Sequence, residues 1–171
     1  MYEYILGFLS FLIFIFIAFV STLLHEISHL RKIKKYNLKY FKSKKDYIKS
    51  NSKNSIPKFS FFLFCINVTY FGFGGVVYLK DGEIEKLKLR QQEEVMMAGI
   101  KTDIIFAMLL VIIYYLINLL FTNLSSVVNI DLNIIFLLSI GVILAKIYDN
   151  IFDTMKMGSD FKKLLKLKKR F

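Results

Sequence analysis

The sequence has no tryptophan, one proline, one cysteine and two histidines among its 171 residues. The single cysteine, Cys65, excludes an internal disulfide and a metal site built from several thiolates. The histidines are His25 and His29, so any site that uses imidazole must lie there. Apolar residues, at 56%, and basic residues, with 24 Lys and Arg against 13 Asp and Glu, are in excess. This composition is too apolar for an ordinary soluble domain and indicates a small integral membrane protein.

Lys and Arg are missing from two long stretches, residues 1–30 and 102–145. Each contains the run of about 20 apolar residues that a membrane-spanning helix needs. Because basic residues concentrate in cytoplasmic loops, we expect the Lys-rich stretches inside the cell, against the anionic headgroups of the inner leaflet. The positive charge therefore indicates membrane topology, and no nucleic-acid partner is expected. The first segment is expected to be retained, since it has no basic n-region and no Ala-x-Ala cleavage site.

These patterns predict a single all-α membrane domain over residues 1–171, with three transmembrane helices at about 5–30, 94–121 and 132–157. The basic residues 31–58 predict a cytoplasmic loop, and the aromatic and β-branched residues 59–79 predict a small membrane-associated β-hairpin between the first two helices. A crossing by residues 59–79 is rejected, because it would place the Lys-rich end of the chain outside. Residues 161–171 predict a basic amphipathic tail. The N-terminus is expected outside and the C-terminus in the cytoplasm, in a prokaryotic plasma membrane.

The motif His25-Glu26-Ile27-Ser28-His29 lies at the end of the first apolar segment. On a helix, positions i and i+4 share a face, so both imidazoles can reach one metal ion while Glu26 turns toward a water molecule beside it. This His-Glu-x-x-His (HExxH) pattern is typical of zinc proteases. The plainer interpretation, polar residues that merely end a membrane helix, does not explain why both histidines of the chain stand here.

Zinc in a hydrolase takes three protein ligands and a water molecule, and this motif supplies two. No histidine remains, so the third ligand must be an acid or the cysteine. Four acids are candidates by their position near the ends of the later helices: Asp103, Asp149, Asp153 and Asp160. Spacing alone does not choose among them. Asp103 is more simply explained as an interfacial acid paired with Lys101 or Lys146, and we leave it out of the predicted site.

Four stretches resemble, in order, the motifs of the site-2 protease family of intramembrane zinc proteases, in its minimal three-helix form. They are His25 to His29, Phe73 to Val77, Ala98 to Asp103 and Asn150 to Asp160. They are similar to the family's His-Glu-x-x-His, its Gly-Gly strand, its Ala-Gly-Pro-x-x-Asn and its Asn-x-x-Pro followed by Asp-Gly. The chain departs from this pattern at Ile100, Asp103, Asp153 and Phe161.

The resemblance implies a zinc-dependent intramembrane endopeptidase with one Zn²⁺ per chain. His25 and His29 would bind the metal, and aligning Ser159-Asp160 with the family's Asp-Gly implies Asp160 as the third ligand. Asp153 and then Asp149 are the alternatives. The substrate implied is a membrane-spanning protein or peptide, cut in or near its transmembrane segment; its identity and the oligomeric state stay open.

Glu26 is the expected catalytic residue, taking a proton from the attacking water and giving it to the leaving amine. Gly75, Val76 and Val77 are expected to present an edge strand to the extended substrate, and the resemblance implies that Asn150 helps to position it. Two other functions remain open: an inactive relative that binds transmembrane helices, or a zinc-binding membrane protein without protease activity.

Overall fold

The computed structural model describes residues 2–50, 60–63, 65–69, 74–120 and 126–152. The helices are α1 (Tyr2–Lys35), α2 (Lys44–Ser50), α3 (Leu89–Met96), α4 (Ala98–Leu120) and α5 (Ser126–Phe152). The strands are β1 (Ser60–Leu63), β2 (Ile66–Thr69) and β3 (Gly74–Val76). The protein is thus mostly helical, with one small antiparallel sheet between α2 and α3, as the composition predicts.

Helix α1 is longer than predicted, because it continues past the basic residues that were expected to end it. Its last turn contains Lys32, Lys34 and Lys35, whose charges are favourable beside the unpaired carbonyls of a helix C-terminus. The helix ends where Asn37 adopts the left-handed conformation, with φ of 54°. The N–H of Leu38 then donates to the carbonyl of Ile33 at 3.0 Å.

Helices α1, α4 and α5 pack against one another in pairs and form a bundle. Its buried centre consists of Ala107, Leu110, Phe136 and Ile143. The outer faces are also apolar, with more than half of the side chain exposed at Phe8, Phe16, Ile105, Tyr115 and Leu137. Among the described residues, Gly7–Lys35 and Leu89–Leu119 are long and apolar enough to span a membrane, and Asn133–Tyr148 is a shorter apolar helix.

The residues predicted to form a β-hairpin, 59–79, contain a three-stranded antiparallel sheet in the order β1-β2-β3. Strand β2 is central, and its residues Ile66, Asn67 and Val68 are fully buried. Strand β3 pairs with it through Asn67↔Val76 and Val68↔Gly75. The sheet lies against α1, which both β2 and β3 contact. Among the described strands, β3 therefore lies at an edge of the sheet, beside the helix that carries the histidines.

The helix predicted at 94–121 is two helices, α3 and α4, with Met97 between them. Helix α3 is fastened to the end of α1 by Glu94, whose carboxylate accepts hydrogen bonds from Tyr36 at 2.6 Å and Lys32 at 3.0 Å. Met97 keeps helical dihedral angles, with φ of −83° and ψ of −6°, so α4 continues from α3 with little interruption. The basic loop predicted at 31–58 also contains a short helix, α2. The predicted tail, 161–171, lies outside the described residues.

Candidate metal centre

Five polar side chains are buried on one side of the otherwise apolar helix α1. They are Ser21, Thr22, His25, Glu26 and His29. Their spacing of four residues, from 21 to 25 to 29 and from 22 to 26, places them along neighbouring rows of the same face. Burying polar groups is costly unless they find partners, so this stripe is a candidate for a functional site.

The two imidazoles converge on one point. Nε2 of His25 and Nε2 of His29 lie 3.1 Å apart. Two nitrogens that each lie about 2.0–2.1 Å from a tetrahedral zinc ion are about 3.3 Å apart. The separation therefore fits two ligands of one metal ion.

Each histidine is held through its other ring nitrogen. Nδ1 of His29 is 2.7 Å from the carbonyl oxygen of Val95, and Nδ1 of His25 is 2.7 Å from Oδ2 of Asp103. A carbonyl or carboxylate oxygen only accepts, so both Nδ1 atoms must carry the hydrogen. In the neutral rings both Nε2 atoms then have a lone pair, and the two lone pairs face each other. Such a pair repels unless a shared proton or a metal ion lies between the two nitrogens, and the donor set fits a metal ion.

The backbone at the start of α4 leaves room beside these nitrogens. A methyl group built on Gly99 would lie 2.5 Å from Nε2 of His29 and closer still to Nε2 of His25. Any side chain at this position would fill the space that the two donor atoms face. Glycine is required here for the close approach of α4 to the histidines.

A second glycine lies against Glu26. A methyl group on Gly75 would lie 2.7 Å from Cγ of Glu26 and 2.9 Å from Cγ2 of Thr22, so β3 contacts α1 without an intervening side chain. Glu26 is only 7% exposed. Among the residues described, its carboxylate has no hydrogen-bond or ion-pair partner, in contrast to Asp103, Glu83 and Glu94. The side chain of Glu26 therefore lies between α1 and β3, next in sequence to His25.

Asp103 contacts the site, which the sequence analysis did not predict. Its carboxylate is fully buried, with Oδ2 on His25 and Oδ1 3.3 Å from Nζ of Lys146. The pairing with Lys146, one of the two alternatives predicted, is confirmed. The contact with His25 was missed, although Asp103 lies four residues after Gly99 and so on the same face of α4.

The other predicted site residues are only partly within the described chain. Asp160 and Asp153 lie outside it, and Asp149 and Asn150 belong to the last turn of α5. In the part of the chain that the structure describes, no three His, Cys, Asp or Glu side chains are grouped to hold a metal ion. The third ligand at Asp160 therefore stays a prediction. Of the predicted substrate-binding residues, Gly75 and Val76 lie in β3 and Val77 directly follows it.

Comparisons of sequence and structure with known proteins find no match. No protein-family model matches the sequence, and no curated protein or solved structure matches it either. The function is therefore inferred from the arrangement of the described residues.

Proposed function

We propose that this protein is a zinc-dependent intramembrane endopeptidase similar to the site-2 proteases. One observation carries the proposal: two buried Nε2 atoms lie 3.1 Å apart, and both rings are held by acceptors on Nδ1. Hydrogen-bonded partners on the outer nitrogen are what metal-binding histidines almost always have. The site lies on a helix long and apolar enough to span a membrane.

In the proposed topology α1, α4 and α5 all cross the membrane, with the N-terminus outside and the C-terminus in the cytoplasm of a prokaryotic cell. The apolar outer faces of the bundle support this, because they would contact lipid. The absence of Lys and Arg from residues 1–30 and 102–145 supports it as well. Basic residues 31–58 then lie on the cytoplasmic side, close to the end of α1 that carries the site.

His25 and His29 would hold the zinc ion together with Asp160 as the third ligand. Bound zinc supplies Lewis-acid activation of water and of the peptide carbonyl. The chain contributes the orientation of the two imidazoles and a buried surrounding that excludes bulk water.

Glu26 is the proton carrier in this proposal. It neighbours His25 in sequence, is buried under Gly75 and has no hydrogen-bond partner within the described residues. Its carboxylate would accept a proton from the attacking water and give it to the leaving amine, so that water adds to the carbon and the C–N bond breaks. A carboxylate already engaged in an ion pair would be poorly suited to this role.

Strand β3 would hold the substrate. A peptide bond in a transmembrane helix is protected by its hydrogen bonds, so the helix must unwind locally before it can be cut. An unwound segment can pair with an edge strand through main-chain hydrogen bonds. Strand β3 is such an edge, and its Gly75 touches Glu26, so a substrate strand added there would lie near the proton carrier.

The proposal is tested by measuring zinc content and cleavage for the same purified proteins in lipid nanodiscs. The substrate is a labelled membrane-spanning model peptide. His25→Ala and His29→Ala should lose zinc and activity, because each removes a ligand. Glu26→Gln should retain zinc and lose activity by at least about 100-fold, the scale of a general acid–base contribution. The exposed Glu85 provides the matched control, since Glu85→Gln makes the same chemical change away from the site.

The outcomes also separate the other functions. An unsubstituted protein that binds zinc but cuts no peptide would be a zinc-binding protein without protease activity, and one that does neither but captures the peptide would be an inactive helix binder. Full activity of Glu26→Gln would contradict the proposed mechanism.

A further inference from the structure

Beyond the proposed function, and resting on it, we propose that Asp103 is a positioning residue of the metal centre. Its carboxylate fixes the tautomer and the ring orientation of His25, and Lys146 balances its charge. The three side chains would form one chain of contacts from α5 through α4 to the metal-binding face of α1.

The two histidines are supported in different ways. His29 is held by a main-chain carbonyl, that of Val95, which α3 supplies whatever its side chain. Within the described residues, Nδ1 of His25 contacts a side-chain oxygen, Oδ2 of Asp103, which is 78 residues away in the sequence. Of the possible ring orientations and tautomers of His25, only one places a hydrogen on the nitrogen facing Asp103 and a lone pair on the nitrogen facing His29. Asp103 selects that state.

The charges at this position are balanced. Asp103 is 0% exposed, and an isolated carboxylate there would be strongly destabilising. Its two oxygens are divided between partners, Oδ2 to His25 at 2.7 Å and Oδ1 to Lys146 at 3.3 Å. Contacts on both oxygens fix the plane of the carboxylate and with it the direction in which it accepts from the imidazole. Lys146 therefore aligns Asp103 as well as compensating its charge.

A simple ion pair between two helices would also place Asp103 beside Lys146. The two interpretations differ in what happens to His25. If the pair only joins α4 to α5, the double variant Asp103→Ala/Lys146→Met removes both charges and should leave His25 unchanged. If Asp103 positions His25, the double variant should keep the fold but release the ring.

The test exploits the presence of only two histidines in the chain. With ¹⁵N-labelled histidine, the nitrogen spectrum of the full-length protein in nanodiscs contains two imidazoles. We expect zinc-free Asp103→Ala/Lys146→Met to show a mixture of tautomers at His25, whereas His29 keeps its hydrogen on Nδ1 and serves as the internal control. Assignment comes from the His25→Ala and His29→Ala proteins.

Zinc affinity, measured by competition with a chelating dye, is the second readout. The double variant should bind zinc about 10- to 100-fold more weakly, the usual effect of losing an outer partner of a metal-binding histidine. Asp103→Asn, which keeps an acceptor oxygen but not the charge, should fall between the double variant and the unsubstituted protein.

Unchanged His25 nitrogen signals and unchanged zinc affinity in the double variant would overturn this inference alone. Failure of the unsubstituted protein to bind zinc would overturn the proposed function and the inference with it. If the double variant does not fold, the same comparison made on Asp103→Leu/Lys146→Met decides, because leucine fills the volume of the aspartate and has no acceptor.

Discussion

The backbones of α4 and β3 both approach the face of α1 that carries the histidines, but each contacts different side chains. The start of α4 lies over the imidazoles of His25 and His29, with Gly99 at the contact. Strand β3 lies over Glu26, with Gly75 at the contact. One element therefore borders the candidate metal ligands and the other borders the candidate proton carrier.

The two contacts also differ in how they are held. Helix α4 has 23 residues and is anchored beside the site by Ile100, which is buried, and by the contacts of Asp103. Strand β3 has three residues and is anchored through its pairing with the buried strand β2. If the proposed mechanism is correct, metal binding and proton transfer therefore depend on separate parts of the fold. Substitutions that act on one contact should leave the other intact.

The largest effect is expected at the α4 contact, from Gly99→Ala. The added methyl group would occupy the space beside both Nε2 atoms, and the histidines cannot turn away without losing Val95 or Asp103 as a partner. We expect zinc affinity to fall at least about 100-fold, the upper end of what disturbed ligand orientation produces, with activity lost in parallel. Zinc content and peptide cleavage are measured together.

Gly141→Ala is the matched control, because a methyl group at Gly141 meets nothing within 4 Å. It makes the same change in another helix of the bundle and should retain zinc and activity. If Gly99→Ala binds zinc as tightly as Gly141→Ala, the start of α4 does not border the metal ligands as described.

A smaller and more selective effect is expected at the β3 contact, from Gly75→Ala. The methyl group would collide with Glu26 and Thr22 but with neither histidine. Zinc should be retained, whereas the rate of cleavage should fall by about 100-fold, as expected when a reacting group is displaced by about 1 Å. Loss of zinc together with activity would show that the two contacts are not separable.

The helical part of this site could be predicted from sequence because its determinants are local. The spacing of His25 and His29 on a helix is enough to place both imidazoles on one face. The long apolar runs of α1 and α4 likewise predict long helices without reference to the rest of the chain. The edge strand at Gly75 and Val76 was predicted, but the division of residues 60–69 into two strands was not. Strands β1 and β2 have only four residues each, too few to show a clear periodicity.

The supports of the histidines could not be predicted, for two physical reasons. The partner of His29 is a backbone carbonyl, and every residue has one, so Val95 carries no signal in its side chain. The partner of His25 depends on how α1 and α4 pack, which joins residues 78 apart. The pairing of Asp103 with Lys146 could be predicted as one of two alternatives. A charged residue in an apolar helix needs a partner of opposite charge, and few basic residues lie near Asp103 in the apolar helices.

The smallest effect is expected when Glu83 loses its charge. This change tests whether the β3 side of the site can become less stable while the α4 side stays unchanged. Its carboxylate accepts the backbone N–H of Lys39 at 2.8 Å and pairs with Lys86, next to the bridge between Tyr40 and Leu79 that follows β3. The N–H of Lys39, and then the ammonium of Lys86, hold the pKa of Glu83 below its ordinary value of 4.5. A lowered pKa in the folded state means that the ionised carboxylate stabilises the fold above pH 4.5 and that this stabilisation is lost as the pH falls through the lowered value.

Hydrogen exchange of the zinc-free protein, followed from about pH 6 to well below the ordinary pKa of 4.5, checks this prediction, because a carboxylate with a lowered pKa titrates below that value. Protection of the Lys39 amide, corrected for the intrinsic exchange rate at each pH, should decrease on acidification. In Glu83→Gln it should be lower at pH 6 and converge with that of the unsubstituted protein at the acid end, because the amide accepts a hydrogen bond but carries no charge. The difference between the two proteins removes the contribution of all other acids. Protection of the Ile100 amide in α4 should be the same in both proteins at every pH, since the hydrogen bond and the ion pair of Glu83 join it to Lys39 and Lys86, which lie outside that helix. A matching loss at Ile100 would mean that the two sides of the site loosen as one unit, and the separation drawn from Gly99 and Gly75 would fail.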